Sequence, residues 1–270
     1  MAIPMRMMGN SIRPGVDGFQ FRCTALEGTG KQGILPQNSD GSYTVVVGGL
    51  GIVHSNGEVH NPERLRECLQ ANSDLMRRIT EGTLRGENGH PVRDPSMSRM
   101  DWFKRIMTIA ESRICVHFDD LTVGAEPAKD RMGQWVTPII ARIRPAGELG
   151  YVTEQEIKDP KQNICFSIRA LVTPMMSGGR RESYINTLVT YDKVNEGGAP
   201  VARKWSSPSL QNQVVEADEL DFFNHQIIHA VYEEMQTHPE SLHQSYEMIM
   251  DLRSQMKRLQ MDRAAAPVTW

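Results

Sequence analysis

Three residues far apart in the chain are of the types that turn a hydroxyl into a nucleophile: His90, Ser167 and Asp192. A serine attacks a carbonyl once a neighbouring imidazole takes its proton. The imidazole works better when a third group fixes its tautomer and stabilises its charged form. His90 lies in RGENGHP, where Gly89 frees the backbone and Pro91 biases the histidine toward an extended conformation, holding the ring at a defined angle. Ser167 lies in the apolar stretch NICFSIRAL, where a hydroxyl facing the core needs a hydrogen-bond partner. Asp192 closes the apolar run LVTYD. Taken singly, each also has a structural reading: a turn, a satisfied core hydroxyl, a strand end. No GxSxG elbow marks the serine.

Other constellations carry less. His225 and His229 share a helix face at i, i+4, but the sequence between them is HQIIH, without the glutamate base of a zinc-protease helix, so no metal site is assigned. GGLG and SGGRR match no phosphate-cradling pattern. Asp119, Asp120, Glu154 and Glu156 read as solvated surface. A net charge of -3 over 270 residues shows no basic excess for nucleic acid. Cys23, Cys68, Cys115 and Cys165 are widely spaced with no CxxC pair, which points to reduced thiols in a cytosolic setting. No apolar run suits a signal peptide or a bilayer span.

Elements must bring the three residues together. SYTVVVGGLGIV reads as a β-branched strand closed by glycines. Asn56-Gly57 marks a turn, and Asn61-Pro62 caps a helix predicted over residues 62–80, with Leu65, Leu69, Met76 and Ile79 on its apolar face. From residue 100 onward, MTIAESRICVHFDDLTV, WVTPIIARIRP, NICFSIRALVTP and SYINTLVTYDKV read as strands. GELGYVTEQEIKDPKQ and SGGRRES read as the loops between them. Beyond Pro208 the chain turns helical: ADELDFFNHQIIHAVYEEMQ is one helix. A second is predicted from Pro239 to about Arg263, its stripe of Leu242, Tyr246, Ile249, Met256 and Leu259 suited to the core or to a partner. A sheet or barrel with helices packed outside it follows, an α+β class.

The order SNGEVHNPERL, a helix, GTLRGENGHP, several strands to FSIRA, then LVTYDKV resembles the prohead proteases of tailed bacteriophages, the capsid-maturation serine proteases related in fold to herpesvirus assemblin. That family carries its histidine in a Gly-x-x-Gly-Glu-x-x-His-Pro motif, matched here by Gly86, Glu87, His90 and Pro91, with Gly82 one residue farther from Gly86 than the motif's spacing. Ser167, Ile168 and Arg169 match its Ser-x-Arg nucleophile context, and Asp192 holds the place of its third member. Lys193 departs from the valine common after that acid. A third-member histidine, as in the viral relatives, has no candidate between Ser167 and His225, and His117 precedes the serine. The resemblance covers residues 50–202.

It implies a herpesvirus-protease-like β-barrel or strongly bent sheet flanked by helices. A protease domain would span residues 1–210, with a C-terminal helical segment, 211–270, packing on the core or on a partner. It implies His90, Ser167 and Asp192 as catalytic residues, with Arg169, Arg180 or Arg181 offering oxyanion donors and no cofactor required. Substrates would be scaffold or core proteins, the major capsid protein and the enzyme itself, inside the assembling prohead in the host cytoplasm, and self-association to a homo-oligomer fits the long helix. Nucleic acid and membrane have no part in it. The alternatives are a non-catalytic structural or scaffold component of a phage head and a hydrolase of small esters.

Overall fold

The computed structural model describes residues 18–26, 35–51, 58–70, 73–129, 135–177, 179–195 and 222–237, with 249, 250, 254 and 257. In chain order the elements are β1 (Gly18–Leu26), β2 (Tyr43–Leu50), β3 (Glu58–His60), α1 (Pro62–Cys68), α2 (Asp74–Thr80), β4 (Arg85–Glu87) and α3 (Arg99–Met107). After a short 3-10 turn at Glu111–Arg113 come β5 (Ile114–Val123), β6 (Ala128–Lys129), β7 (Trp135–Pro145) and α4 (Gly150–Lys158). The series ends with β8 (Cys165–Ser177), β9 (Arg180–Val194), β10 (Phe222–Asn224) and α5 (His225–Thr237).

One sheet runs β10-β1-β8-β9-β3 and the other β2-β7-β5-β4, with β6 on β7. Among the described residues every strand pairing is antiparallel except β3 on β9, and an isolated parallel bridge joins Asn88 to Lys193. The sheets curl around a shared core into a half-barrel flanked by helices, and that core includes Val47, Phe118, Ile143, Ile168 and Tyr191. They meet where β4, paired to β5, also clasps β9: Thr190 Oγ1 donates to the Arg85 carbonyl at 2.6 Å. The opposite face of β8–β9 is covered by a second cluster, in which Leu171 and Val189 pack against Trp102, Phe103 and Ile106 of α3 and Ile228 and Val231 of α5. The stretch 222–237 thus adds a strand beside β1 and a helix to this core.

The sheet-with-helices class is borne out, as are the strands predicted in WVTPIIARIRP and around Ser167 and Asp192; the one predicted in SYTVVVGGLGIV is β2, Tyr43–Leu50. Five local expectations are corrected. SGGRRES, expected as a loop, runs into β9 from Arg180, and ADELDFFNHQIIHAVYEEMQ, expected as one helix, has β10 at Phe222–Asn224 before α5 starts at His225. The helix expected over 62–80 is two helices, because Ser73 ends one and starts the next: its Oγ donates to the Cys68 carbonyl at 2.7 Å and accepts from the Met76 N–H. The strand expected from Met107 is preceded by α3, capped by Ser98, with Trp102, Phe103, Ile106 and Met107 buried at helical spacing. GELGYVTEQEIKDPKQ contains α4 rather than a plain loop. Only Gly150, Thr153 and Ile157 of α4 are buried and no side chain caps it, so its pattern is faint. The helix expected from Pro239 and the Asn56-Gly57 turn lie outside the described residues, apart from isolated positions of the former.

Candidate active site

The His90 turn is placed by two glycines. Gly86 lets β4 approach β9 closely: a Cβ there would sit 2.3 Å from the Tyr191 carbonyl oxygen and 2.8 Å from Val116. Gly89 takes φ +81, a left-handed conformation that side chains resist. Its N–H donates to the Lys193 carbonyl at 2.6 Å. The backbone N–H of Glu87 donates to Asp192 Oδ1 at 3.0 Å. The chain then delivers His90 to Asp192, with Nδ1 2.8 Å from Oδ2.

Ser167 and Asp192 are direct partners across β8 and β9, so their side chains leave the sheet on the same face. Arg169, two residues along β8, shares it. This is the face covered by α3, and Ser167, Arg169 and Asp192 are all wholly buried there. The register depends on two bulges, between Arg169 and Ala170 and between Leu171 and Val172. Continued unshifted from the turn pair Ser177 and Arg180, the ladder would set Ser167 opposite Thr190. Each bulge adds a residue to β9, Asn186 and then Val189, and together they carry Asp192 into place.

Burial alone would raise the Asp192 pKa, but the Arg169 guanidinium charge and the hydrogen bond to His90 bring it from 3.8 down to about 2. An ionised carboxylate only accepts hydrogen bonds, so the Nδ1 facing it carries the imidazole proton. The opposite nitrogen, Nε2, is then the basic one. Ser167 Oγ is buried and has no hydrogen-bond partner among the described residues.

The Arg169 guanidinium is engaged by groups of the protein itself. Nε and Nη2 fork onto Asp192 Oδ2 and Oδ1, each at 2.7 Å, Nη2 lies 3.2 Å from Glu87 Oε1, and Nη1 points at the carbonyls of Ile106 (3.4 Å) and Thr108 (3.0 Å). Every N–H of the guanidinium is directed at an acceptor of the protein itself. Two of those acceptors are carbonyls at the negative end of α3, a natural seat for a cation. Arg180 and Arg181 start β9, ten β8 residues from Ser167, about 30 Å along an extended strand.

Lys193, the departure from the family pattern, points to the other face. It is buried and binds both Glu156 oxygens, at 2.7 and 2.8 Å, tying α4 to the end of β9. The residue passed over by sequence reasoning is Glu87. It is wholly buried and receives both terminal nitrogens of Arg105 and the Ala110 N–H. Its place in the histidine motif was visible, but its partners, on α3 and β8, were not. Among the described residues no cluster of histidine, cysteine and carboxylate groups could hold a metal, and no helix is long and apolar enough to cross a membrane.

The solved capsid assembly protease of bacteriophage T4 resembles the chain at 13% identity and a TM-score of 0.42, over 66% of this chain and 99% of that one. The capsid maturation protease of Pseudomonas phage phiKZ is 32% identical over 193 residues, 69% of each chain. The model of the peptidase S80 family matches residues 21–260, a span that takes in β4 with its histidine turn, β8, β9 and the helices packed on them. By that match, the chain belongs to the peptidase S80 family and is a peptidase akin to phage capsid maturation proteases.

Proposed function

We propose that this peptidase is a serine endopeptidase of prohead maturation, with Ser167 as nucleophile, His90 as general base and Asp192 as the group that orients the imidazole. The observation that carries the reading is the double engagement of Asp192: it is the cross-strand partner of Ser167 and binds His90 Nδ1 at 2.8 Å. Ser167 Oγ attacks the scissile carbonyl carbon and its proton passes to His90 Nε2, while Asp192 stabilises the imidazolium. Collapse of the tetrahedral intermediate breaks the C–N bond as His90 protonates the leaving amine. Water, activated by the same imidazole, then hydrolyses the acyl-enzyme and regenerates the serine.

The substrates are scaffold and capsid proteins of the assembling head and the enzyme's own chain; the phiKZ relative is named for capsid maturation. Ser167 is wholly covered, so a polypeptide gains access only after the side chains over it part, a requirement that suits cleavage confined to one stage of assembly.

The test is cleavage of a purified scaffold protein by the wild type and by Ser167→Ala, with intact mass spectra of both enzymes. Cleavage and self-trimming that disappear in Ser167→Ala are expected. Equal cutting by both assigns the nucleophile elsewhere. A wild type that binds scaffold, resists serine-directed probes and cuts nothing inside assembled proheads is a structural component instead.

A further inference from the structure

Charges alternate in sign through the interior beside the site. Arg105 of α3 binds Glu87 with Nη1 at 2.8 Å and Nη2 at 2.5 Å. Glu87 Oε1 lies 3.2 Å from Arg169 Nη2, Arg169 forks onto Asp192, and Asp192 Oδ2 holds His90. Buried ions survive only when paired and hydrogen-bonded, and Asp192 is saturated: Oδ2 accepts from His90 and Arg169 Nε, Oδ1 from Arg169 Nη2 and the Glu87 N–H. Glu87 therefore reaches Asp192 twice, by its backbone directly and by its side chain through Arg169.

We propose that Glu87 and Arg169 are positioning residues that hold the Asp192 carboxylate in one orientation and set how strongly it binds the His90 imidazole. The inference rests on the triad reading above. Arg169 and His90 share one oxygen of Asp192, so the permanent cation weakens the hold of the carboxylate on the ring. Glu87 takes up part of the Arg169 charge and restores that hold. Removing either charge has a defined sign, and the two signs are opposite.

The remaining ions around His90 frame the test. Arg113, from the 3-10 turn, donates to the Asn88 carbonyl at 2.5 Å and lies 3.4 Å from Glu87 Oε2, half exposed and screened by solvent. Arg78 of α2 is occupied by Asp74 and the carbonyls of Leu188 and Val189. Arg85 of β4 turns back onto the carbonyls of Gly82 and Leu84. Lys193 is matched by Glu156 on the other face. None of these reaches Asp192 by a hydrogen bond.

Glu87→Gln decides the matter, because it keeps the shape and removes the charge, setting its NH2 against Arg105 Nη2 at the Oε2 place, whereas Arg169→Met leaves two buried carboxylates short of a cation. In the Ser167→Ala protein, the His90 Nδ1–H resonance read by NMR is expected to move upfield with Glu87→Gln. In the active enzyme, the acid limb of kcat/KM is expected to move about one unit to lower pH. Folded Arg169→Met is expected to move both the other way. An unchanged resonance and an unchanged acid limb in Glu87→Gln, or shifts of the wrong sign, overturn the proposal. A resonance that moves as expected while the pH profile stays fixed leaves the charge clamp standing and removes His90 from the reaction, so that the triad reading fails instead.

Discussion

Replacing Asp192 by asparagine tests the site at its most connected atom pair. Four N–H groups converge on the carboxylate, two on each oxygen. An amide has one oxygen and one NH2. With the NH2 in the Oδ1 place it opposes the Arg169 Nη2–H and the Glu87 N–H, neither of which can accept. With the NH2 in the Oδ2 place it opposes only Arg169 Nε–H, because His90 can change tautomer and accept at Nδ1. The second arrangement costs less, and it moves the imidazole proton to Nε2, the nitrogen that must receive the Ser167 proton. The same tautomer error lowers kcat by about 10⁴ in a trypsin-type Ser-His-Asp triad, and a loss of that order is expected here. Arg169, wholly buried, meanwhile loses its main counter-charge. Breaking a buried pair costs about 3–5 kcal/mol, and Glu87 at 3.2 Å holds the cost near the lower end, for a fall in Tm of about 6–12 °C. Thermal melts and scaffold cleavage by Asp192→Asn measure both quantities. A melt indistinguishable from wild type would refute the buried-pair argument, and a loss of activity under about tenfold would refute the tautomer argument.

Ser167→Ala is expected to melt at or above the wild-type temperature, gaining about 1 kcal/mol, because it deletes a buried hydroxyl that has no partner among the described residues; a marked destabilisation in urea titration would show that the hydroxyl is hydrogen-bonded in solution. Gly86→Ala puts a methyl group 2.3 Å from the Tyr191 oxygen and is expected to cost about 2 kcal/mol or more by forcing β4 from β9, with loss of the His90 Nδ1–H resonance as the check. Asp192 gives the pH dependence: its folded pKa of about 2 lies below the ordinary 3.8, so its contribution is complete above about pH 4 and is lost as pH falls through 2. The amount is about 2 kcal/mol, and acid unfolding of Asp192→Asn followed by circular dichroism should lack that part of the slope.

The long strands β2, β5, β7, β8 and β9 were legible because β-branched and alternating apolar residues write them plainly, and the histidine turn was legible because Gly86, Gly89 and Pro91 punctuate it, whereas β1 and the short strands β3, β4, β6 and β10 were not read from the sequence. What escaped was whatever depended on partners distant in sequence. α4 buries too few residues to show a helical period, and α3 went unassigned except for Met107, which was read as the start of the following strand. Arg169 stands two residues from Ser167, a spacing that puts both on one face but says nothing of where the guanidinium ends. Only the packing of α3 against β8 shows it tied to Asp192, Glu87 and two helix-end carbonyls.

The register of Ser167 and Asp192 is the sharpest case. The pairing of Ser177 with Arg180 invites an unbroken ladder, and an unbroken ladder pairs Ser167 with Thr190, whose hydroxyl can neither carry a negative charge at neutral pH nor fix an imidazole as a carboxylate does. The two bulges correct that mismatch, and each extra residue has its own support. Asn186 donates to Thr173 Oγ1 at 2.9 Å, and Val189 packs into the α3–α5 cluster. The shift by two matters as much as its existence. A single bulge would bring Tyr191 opposite Ser167 and turn the acid to the other face, whereas two restore the alternation and leave Asp192 beside both Ser167 and His90. The candidate triad therefore depends on the irregularities of one hairpin, and those are supported by a hydrogen bond within the hairpin and by packing on the helices rather than by any motif around the three residues.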